Sequence, residues 1–132
     1  MRVAIDTGFS ARILDAVLDE LGWRGRVDAA VASDEVRLGR PAPDLIHEAV
    51  RRCAVDDVTR VAKVEDTPAD LGEGMRAGCG WTLGVTYGTH SRAELAAHPH
   101  IALVDDLDAV GEVLGRTTSQ VRRRRPGSRT ST

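Results

Sequence analysis

Strand-length apolar segments alternate with apolar residues at helical spacing along almost the whole chain, and this alternation constrains the fold more than any other feature. Val3-Ala4-Ile5 reads as a short strand stopping at Asp6-Thr7-Gly8. Ser10 is a suitable N-cap for a helix carrying Ile13, Leu14, Val17, Leu18 and Leu21, which Gly22 ends. Asp28 to Ser33 reads as a second strand, and Leu45, Ile46, Ala49, Val50 and Cys53 as the buried stripe of a second helix. Arg60 to Val64 is a third strand, and Pro68 suits the first turn of the helix after it, which closes at Gly78. Trp81 to Val85 is a fourth strand. Ser91-Arg92-Ala93-Glu94 has the form of a capping box for a short helix. Ile101 to Val104 is a fifth strand, and Asp106 to Leu114 a last helix.

Strand and helix in strict alternation imply an α/β fold, a parallel sheet with helices on both faces. Ligands of such sheets bind beyond the carboxyl ends of the strands. The polar residues that matter are then those following strands: Asp6-Thr7-Gly8, Ser33 to Arg40, Glu65 to Asp70 and Thr86 to His90.

Charge divides the chain. Twelve of the 18 basic and all 20 acidic residues precede position 116, a body of net charge −8, whereas six arginines from Arg116 onward make a tail of +6. An acidic body does not attract a polyanion, so nucleic acid is expected only through the tail. Residues 1–115 are read as one domain and 116–132 as a basic, disordered tail. Aromatics at 3% provide no platform for stacking bases. No apolar run approaches the ~20 residues that span a bilayer, and Asp6 stands where an export signal needs apolar residues. A cytoplasmic protein with Cys53 and Cys79 as reduced thiols is expected.

Three segments carry chemistry. In Val61-Ala62-Lys63-Val64-Glu65-Asp66-Thr67-Pro68-Ala69-Asp70 an apolar strand delivers acids onto a turn, with Asp70 four residues after Asp66. Hard oxygen ligands so placed suit Mg²⁺, which takes few carboxylates and keeps water and phosphate oxygens. The same acids also suit a helix N-terminus without a metal. In Gly39-Arg40-Pro41-Ala42-Pro43-Asp44 two prolines stiffen a loop that presents Arg40, whose guanidinium suits a phosphoryl oxygen. In Thr7-Gly8 a hydroxyl and a glycine amide can both donate to a phosphate.

In this order and spacing the segments resemble the haloacid dehalogenase superfamily of phosphotransferases, over residues 2–114. Asp34-Glu35-Val36 and the Gly39–Asp44 loop, Lys63 to Asp70, and Gly78-Cys79-Gly80 look most like its phosphonatase-like branch. The resemblance implies a three-layer, Rossmann-like core and a small phosphorylated or phosphonate substrate. It implies that Thr7 and Gly8 bind the phosphoryl group and that Arg40 neutralises it. Asp66 would bind Mg²⁺ directly, Asp70 directly or through water, and Glu65 would join that shell. His90 would border the site.

One departure is large. The family's aspartyl nucleophile stands in a D-x-x-G-T/S motif on the first, central strand. That motif, the strand and the substrate-selecting cap have no counterpart here. Without the aspartate there is no acceptor for a covalent phosphoryl intermediate, so catalysis by this chain alone is expected to be impaired. The expectation is a fragment, a mis-assigned start or a decayed relative. The strands ending at Thr7 and Val64, which flank the missing one in the family, would be separated by a gap or pressed into a new pairing. An exposed half-sheet could drive a homodimer.

Other readings are weaker. Asp6-Thr7-Gly8 mimics an aspartic-protease signature, but such chains are all-β. His90, His98 and His100 suggest a transition-metal site, but histidines in loops and at a strand edge are more often incidental. A non-catalytic phosphate- or partner-binding module with a basic tail shares the body fold and needs no nucleophile.

Overall fold

The computed structural model describes residues 1–98 and 102–123, the side chains of 116–123 excepted. Five strands and five helices alternate: β1 (Ala4–Thr7), α1 (Ala11–Leu21), β2 (Ala29–Ala32), α2 (Asp44–Arg52), β3 (Ala62–Glu65), α3 (Pro68–Ala77), β4 (Trp81–Val85), α4 (Arg92–Ala96), β5 (Ala102–Val104) and α5 (Leu107–Arg123). Short 3₁₀ turns at Ser33–Glu35 and Val58–Arg60 precede α2 and β3.

Local chemistry sets the helix ends. The Ser10 hydroxyl accepts the Ile13 amide at 3.4 Å, and Gly22 ends α1 in the left-handed region at φ 65°, where a side chain would be strained. Thr67 caps α3 by accepting the Asp70 amide, Pro68 opens its first turn, and Gly78 closes it at φ 82°. Ser91 and Glu94 form the expected capping box on α4.

The helices then sort to two faces. Leu14 and Leu18 of α1 bury against Ala32, with Ile5, Val27 and Ala30 beside them. Leu45 and Ala49 of α2 bury against Val31. Alternate residues of β2 thus carry α1 on one face and α2 on the other. Ile46 of α2 meets Ala77 and Cys79 at the end of α3, with Val50, Val58 and Val61 packed around them. Cys53 and Cys79 are buried free thiols.

The strands form two sheets. β1 pairs parallel with β2, Ala4 opposite Ala29. β3, β4 and β5 make a second parallel sheet, Ala62 opposite Trp81 and Leu83 opposite Ala102. Among the described residues no strand lies between β1 and β3. Of the two outcomes expected there, the gap is the one realised. The α2–α3 seam and a cluster of ion pairs join the half-sheets instead.

The last helix corrects an expectation. α5 runs through Arg116 to Arg123, eight residues into the segment read as disordered. Gly115 does not stop it, and no glycine or proline follows before Pro126, while Arg and Gln are good helix formers. Residues 124–132, the rest of that basic tail, lie outside the described residues, as do His100 and Ile101. No helix among the described residues is long and apolar enough to cross a membrane.

Candidate functional site

The carboxyl ends of β1 and β3 meet in a cluster of charges. Lys63 on β3 places Nζ 2.5 Å from Asp6 Oδ2 on β1 and in contact with Glu65 Oε1, with Glu73 Oε2 at 4.0 Å. Arg40 enters from the β2–α2 loop. Its guanidinium donates to the Asp6 carboxylate and, at 3.2 Å, to the Asp6 backbone carbonyl. Arg40 Nε donates to Glu73 Oε2 at 3.1 Å, 2.9 Å from Asp70 Oδ1, and Glu65 Oε1 lies 3.8 Å from the guanidinium. The loop is braced at its cis Arg40–Pro41 peptide, where Arg76 Nη1 donates to the Pro41 carbonyl at 3.1 Å.

Two cations thus serve four carboxylates, all little exposed. Burial opposes the charge on Lys63, but the adjacent Asp6 and Glu65 outweigh it and hold the ammonium above its ordinary pKa. Arg40 is raised in the same way, chiefly by Asp6 against its own burial. The surplus falls on the acids. Burial pushes Glu65 up to about 7, against the pull of Lys63. Burial also raises Glu73, which is fully buried and has one oxygen, Oε1, without a hydrogen-bond partner. Low-dielectric surroundings with too few cations disfavour the charged form of these carboxyls.

Beside this cluster, Glu65, Asp66 and Asp70 each offer a carboxylate oxygen within 4.8 Å of the others. Asp70 Oδ2 is held by the Thr67 hydroxyl at 2.6 Å. Asp66 Oδ2 accepts the Thr89 amide at 3.3 Å, so the loop after β4 borders the acids. Gly88 makes that approach possible: a Cβ there would lie 2.3 Å from Asp66 Oδ2. Three hard oxygens at the mouth of a strand-to-helix turn fit Mg²⁺.

The structure therefore brings Arg40, Glu65, Asp66 and Asp70 together. Thr7 ends β1 one residue beyond Asp6, its Oγ1 accepting the Phe9 amide at 3.1 Å, and Gly8 follows in open space. Among the described residues no hydrogen bond or ion pair joins Thr7 or Gly8 to the acids. His90 contacts the Thr89 hydroxyl at 3.0 Å. His98 lies apart, lining with Pro41, Pro68, Gly72, Met75 and Arg76 a groove of about 420 Å³ that includes none of the six candidate residues.

Sequence reasoning placed Asp6 only among the polar residues after the first strand, with no role of its own, and missed Lys63 and Glu73 as site residues. Lys63 had a signal: it is the single lysine of the chain, set inside an apolar strand. Glu73 had only its place one turn after Asp70.

A family model described as haloacid dehalogenase-like hydrolase matches residues 1–78. Phosphonoacetaldehyde hydrolase of Bacteroides fragilis is 34% identical over 109 residues, 82% of this chain but 41% of the relative. The chain thus spans about two-fifths of that relative's length. The crystal structure of a phosphonoacetaldehyde hydrolase-like protein from Oleispira antarctica superposes with a TM-score of 0.79 at 22% identity, over 95% of this chain and 54% of that one. CbbY from Rhodobacter sphaeroides, solved in complex with phosphate, superposes with a TM-score of 0.69 at 26% identity, over 84% of this chain and 49% of that one. The parallel half-sheets, the acids after β3 and the matched profile agree: the chain belongs to the haloacid dehalogenase-like hydrolase family.

Proposed function

We propose that the chain forms the cation- and phosphate-binding half of a Mg²⁺-dependent hydrolase acting on a small phosphorylated or phosphonate substrate in the cytoplasm. The observation that carries this reading is the trio Glu65, Asp66 and Asp70, its oxygens within 4.8 Å, with Arg40 Nε 2.9 Å from Asp70 Oδ1. The relative named for phosphonoacetaldehyde and the neighbour solved with phosphate support the substrate class.

Asp66 and Asp70 would hold the ion directly, with Glu65 completing the set once ionised. Bound Mg²⁺ would supply Lewis-acid polarisation of a phosphoryl oxygen. Arg40 would neutralise phosphate charge while remaining anchored by Asp6 and Glu73. The Thr7 hydroxyl and Gly8 amide would orient the phosphoryl group from the β1 side. Asp6, the residue before Thr7, is held by Lys63 and Arg40 and is a poor nucleophile. Turnover by this chain alone is therefore low.

Calorimetric titration of Mg²⁺, then of inorganic phosphate, tests the reading, alongside p-nitrophenyl phosphate hydrolysis. The chain binds the ion and then phosphate, and Asp66→Asn loses both. Absence of Mg²⁺ binding by the unaltered chain overturns the proposal.

A further inference from the structure

We propose that α1 is a dimer interface: a second copy of this chain docks on its exposed face, with the two α1 helices antiparallel.

That face is apolar although it meets solvent. α1 turns Leu14 and Leu18 onto the β1–β2 sheet. Ile13, Val17 and Leu21 follow one another at steps of four and so stack as a row along another side of the helix. They are 48%, 39% and 50% exposed. Exposed Phe9 stands just before the helix and exposed Trp23 just after it. Single exposed apolar residues are ordinary, but a row along a whole helix with an aromatic at each end marks a contact surface.

The charges on α1 show what fits the row. Arg24 engages Asp15 and Asp19 from within the chain. Arg12 and Glu20 are exposed too, yet among the described residues neither side chain has a hydrogen bond or an ion pair. Both stand at the wrong end of the helix dipole. α1 has no acid in its first turn and no base in its last, whereas α2 opens with Asp44 and ends with Arg51 and Arg52. Their placement therefore does not serve α1 itself. They lie about 12 Å apart along the axis and do not pair with each other.

An antiparallel copy satisfies both. Arg12 and Glu20 each precede a row residue by one position, so they lie on the same shoulder of the row. A two-fold axis beside Val17 sets Val17 against its own counterpart and Ile13 against the partner's Leu21. Arg12 then meets the partner's Glu20, and Glu20 meets the partner's Arg12. An unrelated acidic or basic partner would satisfy one charge and repel the other. The row supplies the affinity, and the two exposed ion pairs supply the orientation. Eleven residues of helix span only about 16 Å, so one helix pair buries less than the ~1,200 Å² of a standard interface. The dimer is accordingly weak, with a Kd on the order of tens of µM. The contact uses a helix and not the open sheet edges, and it is independent of the proposed metal and phosphate chemistry.

Sedimentation equilibrium of the full chain, from about 5 to about 500 µM at low salt, tests the interface. The unaltered chain passes from monomer to dimer across that range. Arg12→Glu and Glu20→Arg each weaken the dimer about tenfold, because each turns two attractive pairs into two repulsive ones. An equimolar mixture of these two variants regains the dimer, and both substitutions in one chain restore it as well. Val17→Glu stays monomeric while circular dichroism shows it folded. The two charge variants alter only exposed side chains, so they decide the matter even where Val17→Glu fails to fold. The proposal is overturned if the unaltered chain stays monomeric to about 500 µM, which would leave the row to chain beyond this sequence or to another protein. It is overturned equally if the mixture gains nothing over its components, or if folded Val17→Glu dimerises unchanged. Mg²⁺ binding is the same in every variant, so loss of the dimer leaves the proposed function standing.

Discussion

Lys63 Nζ lies 2.5 Å from Asp6 Oδ2, and this pair is the direct ionic link between β3 and β1, strands of two different sheets. Removing one partner of a buried pair costs about 3–5 kcal/mol when the other is stranded. Lys63 keeps Glu65 as a neighbour, and Arg40 keeps Glu73. Asp6→Asn is therefore expected to cost less, about 2 kcal/mol. Urea unfolding of the two chains measures it. A loss below about 0.5 kcal/mol would mean that the pair does not hold the half-sheets together.

The pH dependence has a definite sign. Glu65 sits at about 7 in the folded chain, against an ordinary 4.5. The folded state then binds a proton that the unfolded state has released, so stability declines as pH rises from about 5 to about 7. The ceiling is on the order of 3 kcal/mol, given about 1.4 kcal/mol per unit. Thermal melts of the metal-free chain across that range should show the decline. Glu65→Gln flattens it, and saturating Mg²⁺ abolishes it by favouring the ionised carboxylate. A slope unchanged in Glu65→Gln assigns the titration to another group.

The extent to which the sequence disclosed all this depended on how local each cause is. The caps at Ser10 and Ser91, the helix start at Pro68 and the stops at Gly22 and Gly78 are set within one helical turn, and all were legible, whereas the Thr67 cap was not read. β4 at Trp81–Val85 was legible to the residue, because its apolar run is bounded on both sides by glycine or threonine. Helix α5 was not, because composition around Arg116 speaks of solvation while the absence of glycine and proline speaks of continued helix. At the site, Arg40, Glu65, Asp66 and Asp70 follow strands or lie in the proline-stiffened loop, and pattern exposes such residues. Asp6, Lys63 and Glu73 gain their roles only when distant strands and a helix meet. Contacts spanning 57 residues, as between Asp6 and Lys63, leave no periodic trace.

Gly88 offers a way to loosen the metal site without touching a carboxylate. A methyl group there would lie 2.3 Å from Asp66 Oδ2 and 2.5 Å from its Cβ, far inside contact. The loop after β4 would have to retreat, and the Thr89 amide would release Asp66. Gly88→Ala is expected to weaken Mn²⁺ or Mg²⁺ binding about tenfold, close to 1.4 kcal/mol. Because Gly88 lies in an exposed turn, the melting temperature should move little. Paramagnetic titration with Mn²⁺ reads the first quantity and calorimetry the second. A large fall in melting temperature with unchanged affinity would show that Gly88 serves the fold and not Asp66.

Ile46 tests whether two half-sheets behave as one body. It is 3% exposed and joins α2 to Ala77 and Cys79, the apolar counterpart of the Asp6–Lys63 link. Truncating a buried isoleucine costs about 2–5 kcal/mol. Leu14→Ala should cost a similar amount, but Leu14 packs wholly within the β1–β2 half, against Ala32 and Ile5. The two tryptophans report on opposite halves: Trp23 follows α1, and Trp81 opens β4. With Trp23→Phe and Trp81→Phe as backgrounds, fluorescence follows each half separately through urea unfolding. In the unaltered chain the two transitions coincide, as a two-state domain requires. Leu14→Ala shifts both together. Ile46→Ala separates them, the β1–β2 half unfolding first because it has two strands against three. Coincident transitions in Ile46→Ala would mean that the charged cluster alone suffices to couple the halves.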